Sequence, residues 1–157
     1  MVEVAEAKTA SQISWAIGLI KAYATSLEID LSFQNFGREM AEFPGAYTRP
    51  DGRLFLAIEG GEAVGVVALR KLSGKTCEMK RLYVRPDFRG KGVGRMLVRK
   101  VLGEAQEIGY TRMRLDTLSS MIEAISLYES LGFEKIPPYR FNPHRSAVYM
   151  ERILKVK

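Results

Sequence analysis

A chain of 157 residues has room for one hydrophobic core and little beyond it, and with 46% hydrophobic and 27% charged residues it has a folded rather than a disordered composition. The single cysteine, Cys77, excludes an internal disulfide and fits a reducing compartment such as the cytoplasm; the acidic start MVEVAEAKTA lacks the apolar segment of a secretory leader, and the best apolar stretch, Leu54 to Leu69, is broken by Glu59, Gly60, Gly61 and Glu62, so no membrane span is expected. The net charge of +6 is concentrated, because Arg70 to Lys100 holds 11 basic residues against two acids, Glu78 and Asp87, and that local balance of 11 − 2 = +9 marks a place for a polyanion, either a nucleotide cofactor or a nucleic acid.

In chain order, Val2 to Glu6 alternates as a short strand. Thr9 or Ser11 can cap a helix running to about Leu27, with Ile13, Ile17, Ile20 and Ala24 as its apolar face and Trp15 as a packing residue. Ser32 is placed to cap a short helix from Phe33 to Phe43, stopped by Pro44-Gly45. Arg53 to Glu59 and Glu62 to Leu72 predict two strands joined by a two-residue hairpin turn at Gly60-Gly61.

The next strand, Thr76 to Val84, changes phase. Cys77 and Met79 are apolar, then Leu82 and Val84, so the alternation slips by one residue at Lys80-Arg81. A β-bulge does this. A glycine-rich turn follows, then a helix to about Ile108 with Gly109 placed to end it. Met113, Leu115 and Thr117 alternate with Arg112, Arg114 and Asp116 in a further strand. Ser120 to Glu123, "SMIE", is a capping-box pattern opening a helix to Leu131, and Gly132 can cap its end. Phe133 to Ile136 and Ala147 to Ile153 predict the last strands. The sum is a single α/β domain, residues 1–157, built on a mixed sheet of six to seven strands with about four helices.

The turn itself reads RPDFRGKGVG, Arg85 to Gly94. A helix start offers unpaired N–H groups and the positive end of a dipole. Glycines let an anion approach that backbone, and Arg89, Lys91 and Arg95 add charge. It is not a Walker loop, because Lys91 is followed by Gly92 rather than Ser or Thr. It is not the dinucleotide fingerprint, because the spacing is G-x-G-x-G.

Arg89, Gly92 and Gly94 do match the Gln/Arg-x-x-Gly-x-Gly/Ala pyrophosphate loop of the GNAT superfamily of acyl-CoA N-acyltransferases. The surroundings resemble that family too: Leu82-Tyr83-Val84 and Pro86 before the loop, the inferred bulge, then Leu127-Tyr128 and Gly132-Phe133. The resemblance covers about residues 53 to 153. It departs at Met121, where the family often has an Asn that contacts the cofactor.

What the resemblance implies is acetyl transfer from acetyl-CoA to a primary amine, small molecule or protein. The pantetheine arm would lie along Leu82, Tyr83 and Val84, with the Leu82 or Tyr83 N–H as donor to the thioester carbonyl. The pyrophosphate would lie on Arg89, Gly90, Lys91, Gly92, Val93, Gly94 and Arg95. Tyr128 resembles the residue that protonates the CoA thiolate. Glu78 precedes Arg89 at the offset of the base in some family members, others using a water relay. By spacing alone Tyr128 is a core aromatic and Glu78 a strand carboxylate.

Arg140 and Arg145, in the loop Pro137 to Ser146, are candidates for binding an anionic acceptor. His144, the sole histidine, is a loop residue, and Cys77 sits at a packing position. No metal site and no nucleic-acid partner are expected, since the aromatics do not interleave with the basic residues. Another acyl-CoA, a non-catalytic CoA-binding role, a basic nucleic-acid module and a homodimer are the alternatives.

Overall fold

The computed structural model describes residues 1–27 and 36–155. The strands are β1 (Glu3–Glu6), β2 (Arg53–Glu59), β3 (Glu62–Ser73), β4 (Thr76–Val84), β5 (Arg112–Leu118), β6 (Glu134–Ile136) and β7 (Ala147–Ile153). The helices are α1 (Ala10–Leu27), α2 (Phe36–Glu42), α3 (Val93–Ile108) and α4 (Ile122–Ser130). One seven-stranded sheet runs in the order β1-β2-β3-β4-β5-β7-β6. Only β4 and β5 are parallel, and α3 is the crossover between them. The chain is thus the mixed α/β architecture that the alternation of elements predicts.

Two apolar clusters, one on each sheet face, place the helices. On one face α1 and α2 cover Leu54, Leu56, Val66, Ala68 and Tyr83. On the other, α3 and α4 cover Phe55, Val67, Leu69, Cys77, Met79, Met113 and Leu115. Alternation along the strands sorts these residues. Thr9 starts α1 as a capping box, its hydroxyl accepting the Gln12 N–H at 3.1 Å while the Gln12 side chain accepts the Thr9 N–H at 3.1 Å. The Gly60-Gly61 turn has φ of 58° and 78°, the pair of positive angles a tight hairpin needs. Gly109 ends α3 at φ 107°, its N–H donating to Ala105 and Gln106.

Two local expectations change, and a third is only partly within the described residues. The fully buried centre of α1 is Ala16 and Ile20, with Ile13 and Ile17 only half-buried; Trp15, about 100° around the helix from Ala16, is 42% exposed rather than packed. At α4 the capping box does not form. A tight turn, Met121 N–H to Leu118 O at 2.9 Å, makes Met121 the cap residue, and no side chain caps the helix. The helix expected from Phe33 begins, within the described residues, at Phe36; Ser32 lies outside them.

The bulge lies where the phase slip predicts it. Val66 pairs with Tyr83 and Ala68 with Lys80, so Arg81 and Leu82 together oppose Val67. Arg81 takes φ 62°, a left-handed conformation that costs a non-glycine residue roughly 1–2 kcal/mol. Its guanidinium donates twice to Glu39 on α2, both at 2.9 Å, and lies 5.2 Å from the centre of the Phe36 ring. Both side chains of the ion pair are largely buried, at 4% and 17% exposure. Removing one partner of a buried pair leaves the other charge uncompensated. Glu39→Ala should therefore lower stability by about 3 kcal/mol in urea denaturation, with Glu39→Gln intermediate; a loss under about 0.5 kcal/mol, typical of a plain surface position, would show that the pair does not hold the bulge.

Candidate active site

β4 and β5 pair at three positions only: Thr76 with Arg112, Cys77 with Met113 and Glu78 with Arg114. Beyond these rungs β4 continues to Val84 against β3, and β5 continues to Leu118 against β7. The facing edges therefore part, and each leaves backbone groups toward the gap. The bulge turns Leu82 and Val84 toward the α3 side and Tyr83 toward the α1 side.

A groove of about 880 Å³ starts in this gap. Leu82, Tyr83 and Val84 form one wall. Leu118, Met121 and Leu127, with Tyr23 of α1, form another part of it. Its far end is the glycine turn, where Arg89, Gly90, Gly92, Val93, Gly94 and Arg95 line it. Gly90 and Gly92 have φ of 77° and 80°. Gly92 is the cap residue of α3 and has no side chain to offer, and the first intrahelical bond is Met96 N–H to Gly92 O. The N–H groups of the first α3 turn thus have no intrahelical acceptor and face the groove end.

The basic side chains there differ in role. Arg89 donates its Nε–H to Val84 O at 2.9 Å and lies 5.5 Å from the Tyr83 ring centre, so it braces the turn onto β4. Arg95 donates to Ser130 Oγ at 3.0 Å, tying α3 to α4. Arg85 pairs with Asp87 and Glu62. Lys91 does not line the groove; its ammonium sits 5.2 Å from the Phe88 ring centre.

The two expected catalytic residues lie behind the groove rather than on its wall. Tyr128 is 6% exposed, with its ring centre 5.8 Å from that of Phe133. Burial, with Tyr23 and Asp116 nearby, raises its pKa well above the ordinary phenol value, so it stays protonated. Glu78 is fully buried. One carboxylate oxygen accepts from Arg70 Nε at 2.9 Å; the other accepts from the Tyr139 hydroxyl at 2.7 Å and from Arg140. Burial by itself would raise the Glu78 pKa, but the charges of Lys80, Arg140 and Arg70 and the Tyr139 hydrogen bond outweigh it, and the pKa lies below the ordinary value. A carboxylate so held is a weak base with its lone pairs engaged. Arg140 is therefore a partner of Glu78, whereas Arg145 is exposed. Cys77, pushed up to about 12 by burial, is an inert packing residue.

Three nearby residues were not singled out from the sequence. Asp116 faces the α1 side just past the last β4–β5 rung, half-buried, and its carboxylate meets one hydrogen-bond donor among the described residues, the Asn142 amide at 3.5 Å. Lys80, 7% exposed, is lowered to about 8 by burial, against the pull of Glu78 and Asp116. Tyr23 lines the groove, its ring centre 5.7 Å from that of Tyr83. The alternation of Arg112, Arg114 and Asp116 was a signal for the first, but it looks like an ordinary solvated face until the strands are seen to part.

Known proteins of this kind match over most of the chain. The family model described as "Acetyltransferase (GNAT) family" matches residues 20–133. An uncharacterized N-acetyltransferase of Schizosaccharomyces pombe is 41% identical over 134 residues, spanning 84% of this chain and 82% of the relative. Among solved structures, a GNAT acetyltransferase of Staphylococcus aureus superposes with a TM-score of 0.82 at 22% identity, covering 99% of this chain and 100% of that one. The PaiA N-acetyltransferase of Thermoplasma acidophilum, solved in complex with coenzyme A, superposes at TM-score 0.73 and 15% identity, covering 98% and 99%.

A ligand that binds only the folded state at a hundredfold excess over its Kd raises stability by about 2.7 kcal/mol. Coenzyme A should give a shift of this kind in thermal melting. Gly92→Val should lower the melting point of the free protein, because valine is strained at φ 80°, and abolish the shift. A shift with nucleic acid but none with coenzyme A would overturn the assignment of the groove.

Proposed function

The chain belongs to the GNAT acetyltransferase family, and we propose that it transfers an acetyl group from acetyl-CoA directly to a primary amine. The observation that carries this is the parting of β4 from β5 beside the glycine turn: one groove joins an anion-binding helix start to a length of bare strand edge. The pyrophosphate of the donor fits the first turn of α3, with Arg89 bracing the loop and Lys91 and Arg95 adding charge. The pantetheine arm pairs with the β4 edge at Leu82 to Val84 as an added strand. The Leu82 N–H, rather than that of Tyr83, which lies on the β3 side of the strand, receives the carbonyl oxygen as it becomes an oxyanion; one such donor is typically worth ~10²–10³ in rate. Tyr128, kept protonated, supplies a hydrogen to the departing sulfur.

With the donor filling the groove on the α3 and α4 side, the amine comes through the split from the α1 face. There it meets Lys80, Asp116, Tyr139 and Arg140. An alkylamine of pKa ~10 must lose a proton before it attacks. Glu78, expected as the base, is the less suitable carboxylate, because attack on a proton would require Arg70, Tyr139 or Arg140 to give up its bond. Asp116, with one long hydrogen bond among the described residues, is the better placed to accept the proton, directly or through one water. Glu78 instead fixes Arg70 and Arg140 beneath the acceptor. Arg145, exposed in the β6–β7 loop, suits an acceptor with a carboxylate or phosphate near its amine.

An amine panel assayed by release of the CoA thiol identifies the acceptor. With the best acceptor, Asp116→Asn should lower kcat/KM by ~10²–10⁴ near neutral pH, a deficit that shrinks as pH rises and solvent supplies more neutral amine. Glu78→Gln should instead lower stability by about 3 kcal/mol at pH 7, leaving two arginines poorly paired. The Glu78 pKa is lowered on folding, so its stabilisation is complete above the ordinary carboxylate value and is lost as pH falls through the folded value. The gap between variant and parent should therefore close on acidification. A pH-dependent rate deficit in Glu78→Gln but none in Asp116→Asn would return the base role to Glu78.

A further inference from the structure

We propose that Tyr23 is a second phenol at the sulfur end of the groove, donating a hydrogen bond to the thiol or thiolate of bound coenzyme A. This rests on the assignment of the groove made above. Tyr23 lines the groove, as Tyr128 does not. The Tyr23 side chain projects from the last turns of α1 against Tyr83, with ring centres 5.7 Å apart and planes at 45°. That contact fixes the ring over the part of β4 on which the end of the pantetheine arm would lie.

The hydroxyl already points at a sulfur. It donates to Met121 Sδ at 4.0 Å, a weak acceptor. Met121 caps α4 and lines the same groove. A thiolate is a far stronger acceptor than a thioether, so a donor sulfur entering this space would take over the bond. The groups facing the Tyr23 hydroxyl are Arg81 and Tyr83 from β4, Asp116 from β5, and Met121 and Tyr128 from α4. Burial and the Asp116 carboxylate keep the phenol protonated, against the Arg81 charge, so it is a donor throughout the working pH range.

The role in the reaction follows from the balance of bonds. As the tetrahedral intermediate collapses, the C–S bond breaks and its electron pair stays on sulfur. The proton that the thiol finally carries is one the amine has lost. Between those events Tyr23, on the groove wall, holds the charge on sulfur by its hydrogen bond, beside the hydrogen proposed from Tyr128.

The test needs no acceptor. The pKa of the bound CoA thiol is read from thiolate absorbance, as the difference between complexes with coenzyme A and with desulfo-coenzyme A. In the parent protein the bound thiol should titrate below free coenzyme A. Tyr23→Phe keeps the ring contact with Tyr83, and should raise that pKa by about one to two units, the loss of one hydrogen bond to a charged acceptor. Tyr128→Phe should raise it as well. A thiol pKa unchanged by Tyr23→Phe, with binding of desulfo-coenzyme A intact, overturns the proposal whether or not Tyr128→Phe moves it. Failure of the parent protein to bind either compound overturns the groove assignment itself, and this proposal with it.

Discussion

One residue too many in β4 governs the rest of the structure. Arg81 and Leu82 together oppose Val67, and every side chain beyond them is turned to the opposite face from the one alternation would give. Without the slip, Leu82 and Val84 would face α1 and Tyr83 would face α3. With it, the apolar pair closes the floor beneath α3 while Tyr83 meets Tyr23. The bulge also twists the strand locally, which is how β4 leaves β5 after three rungs. The unfavourable left-handed angle at Arg81 persists because Glu39, Phe36 and the buried position determine it from outside. The ion pair therefore links α2 to the strand edge that lines the groove.

The glycine turn shows the same economy at the other end of the groove. Gly92 closes the approach to α3 with a positive φ and no side chain. The cap position, which in most helices a Ser or Asp side chain would occupy, is left open to the groove. The Arg89 bond to Val84 O then holds the turn to β4, so the helix start and the bare strand edge form one frame.

Local features were legible in the sequence because they depend on local chemistry. Gly60-Gly61, Gly109, the glycine turn and even the bulge each leave a mark within a few residues. The resemblance of Arg89, Gly92, Gly94 and the Leu-Tyr-Val strand to the GNAT pattern located the groove. The polar side of the site was not legible in the same way. Glu78 has the charge and the spacing expected of a base, but its character is set by Tyr139 and Arg140, some sixty positions away in the chain. Asp116 follows Arg112 and Arg114 on the same face of its strand. Its position past the last rung of a strand pair is a fact of topology. Trp15 failed as a packing residue for a simpler reason: an apolar residue one step off a helical stripe faces water, whatever its size. The "SMIE" box failed because a tight turn at Leu118–Met121 moved the cap by one residue.

The α1 face of the sheet carries two chemistries side by side. Under α1, β2 and β3 present Leu54, Leu56, Val66 and Ala68, an apolar surface that packs without cost. On the neighbouring β4 and on β5 the same face presents Glu78, Lys80 and Asp116, with Arg70 and Arg140 around them. Charges taken out of water lose several kcal/mol each, and an apolar replacement of similar shape is often the more stable choice. Burial, helped by Arg81 and Arg140, lowers the Lys80 pKa to about 8 against the pull of two carboxylates. An apolar solution was available to this sheet and is used next door. The polar cluster departs from it only where β4 and β5 part. Stability does not account for that choice, but the proposed reaction, which must strip a proton from an ammonium at the split, does.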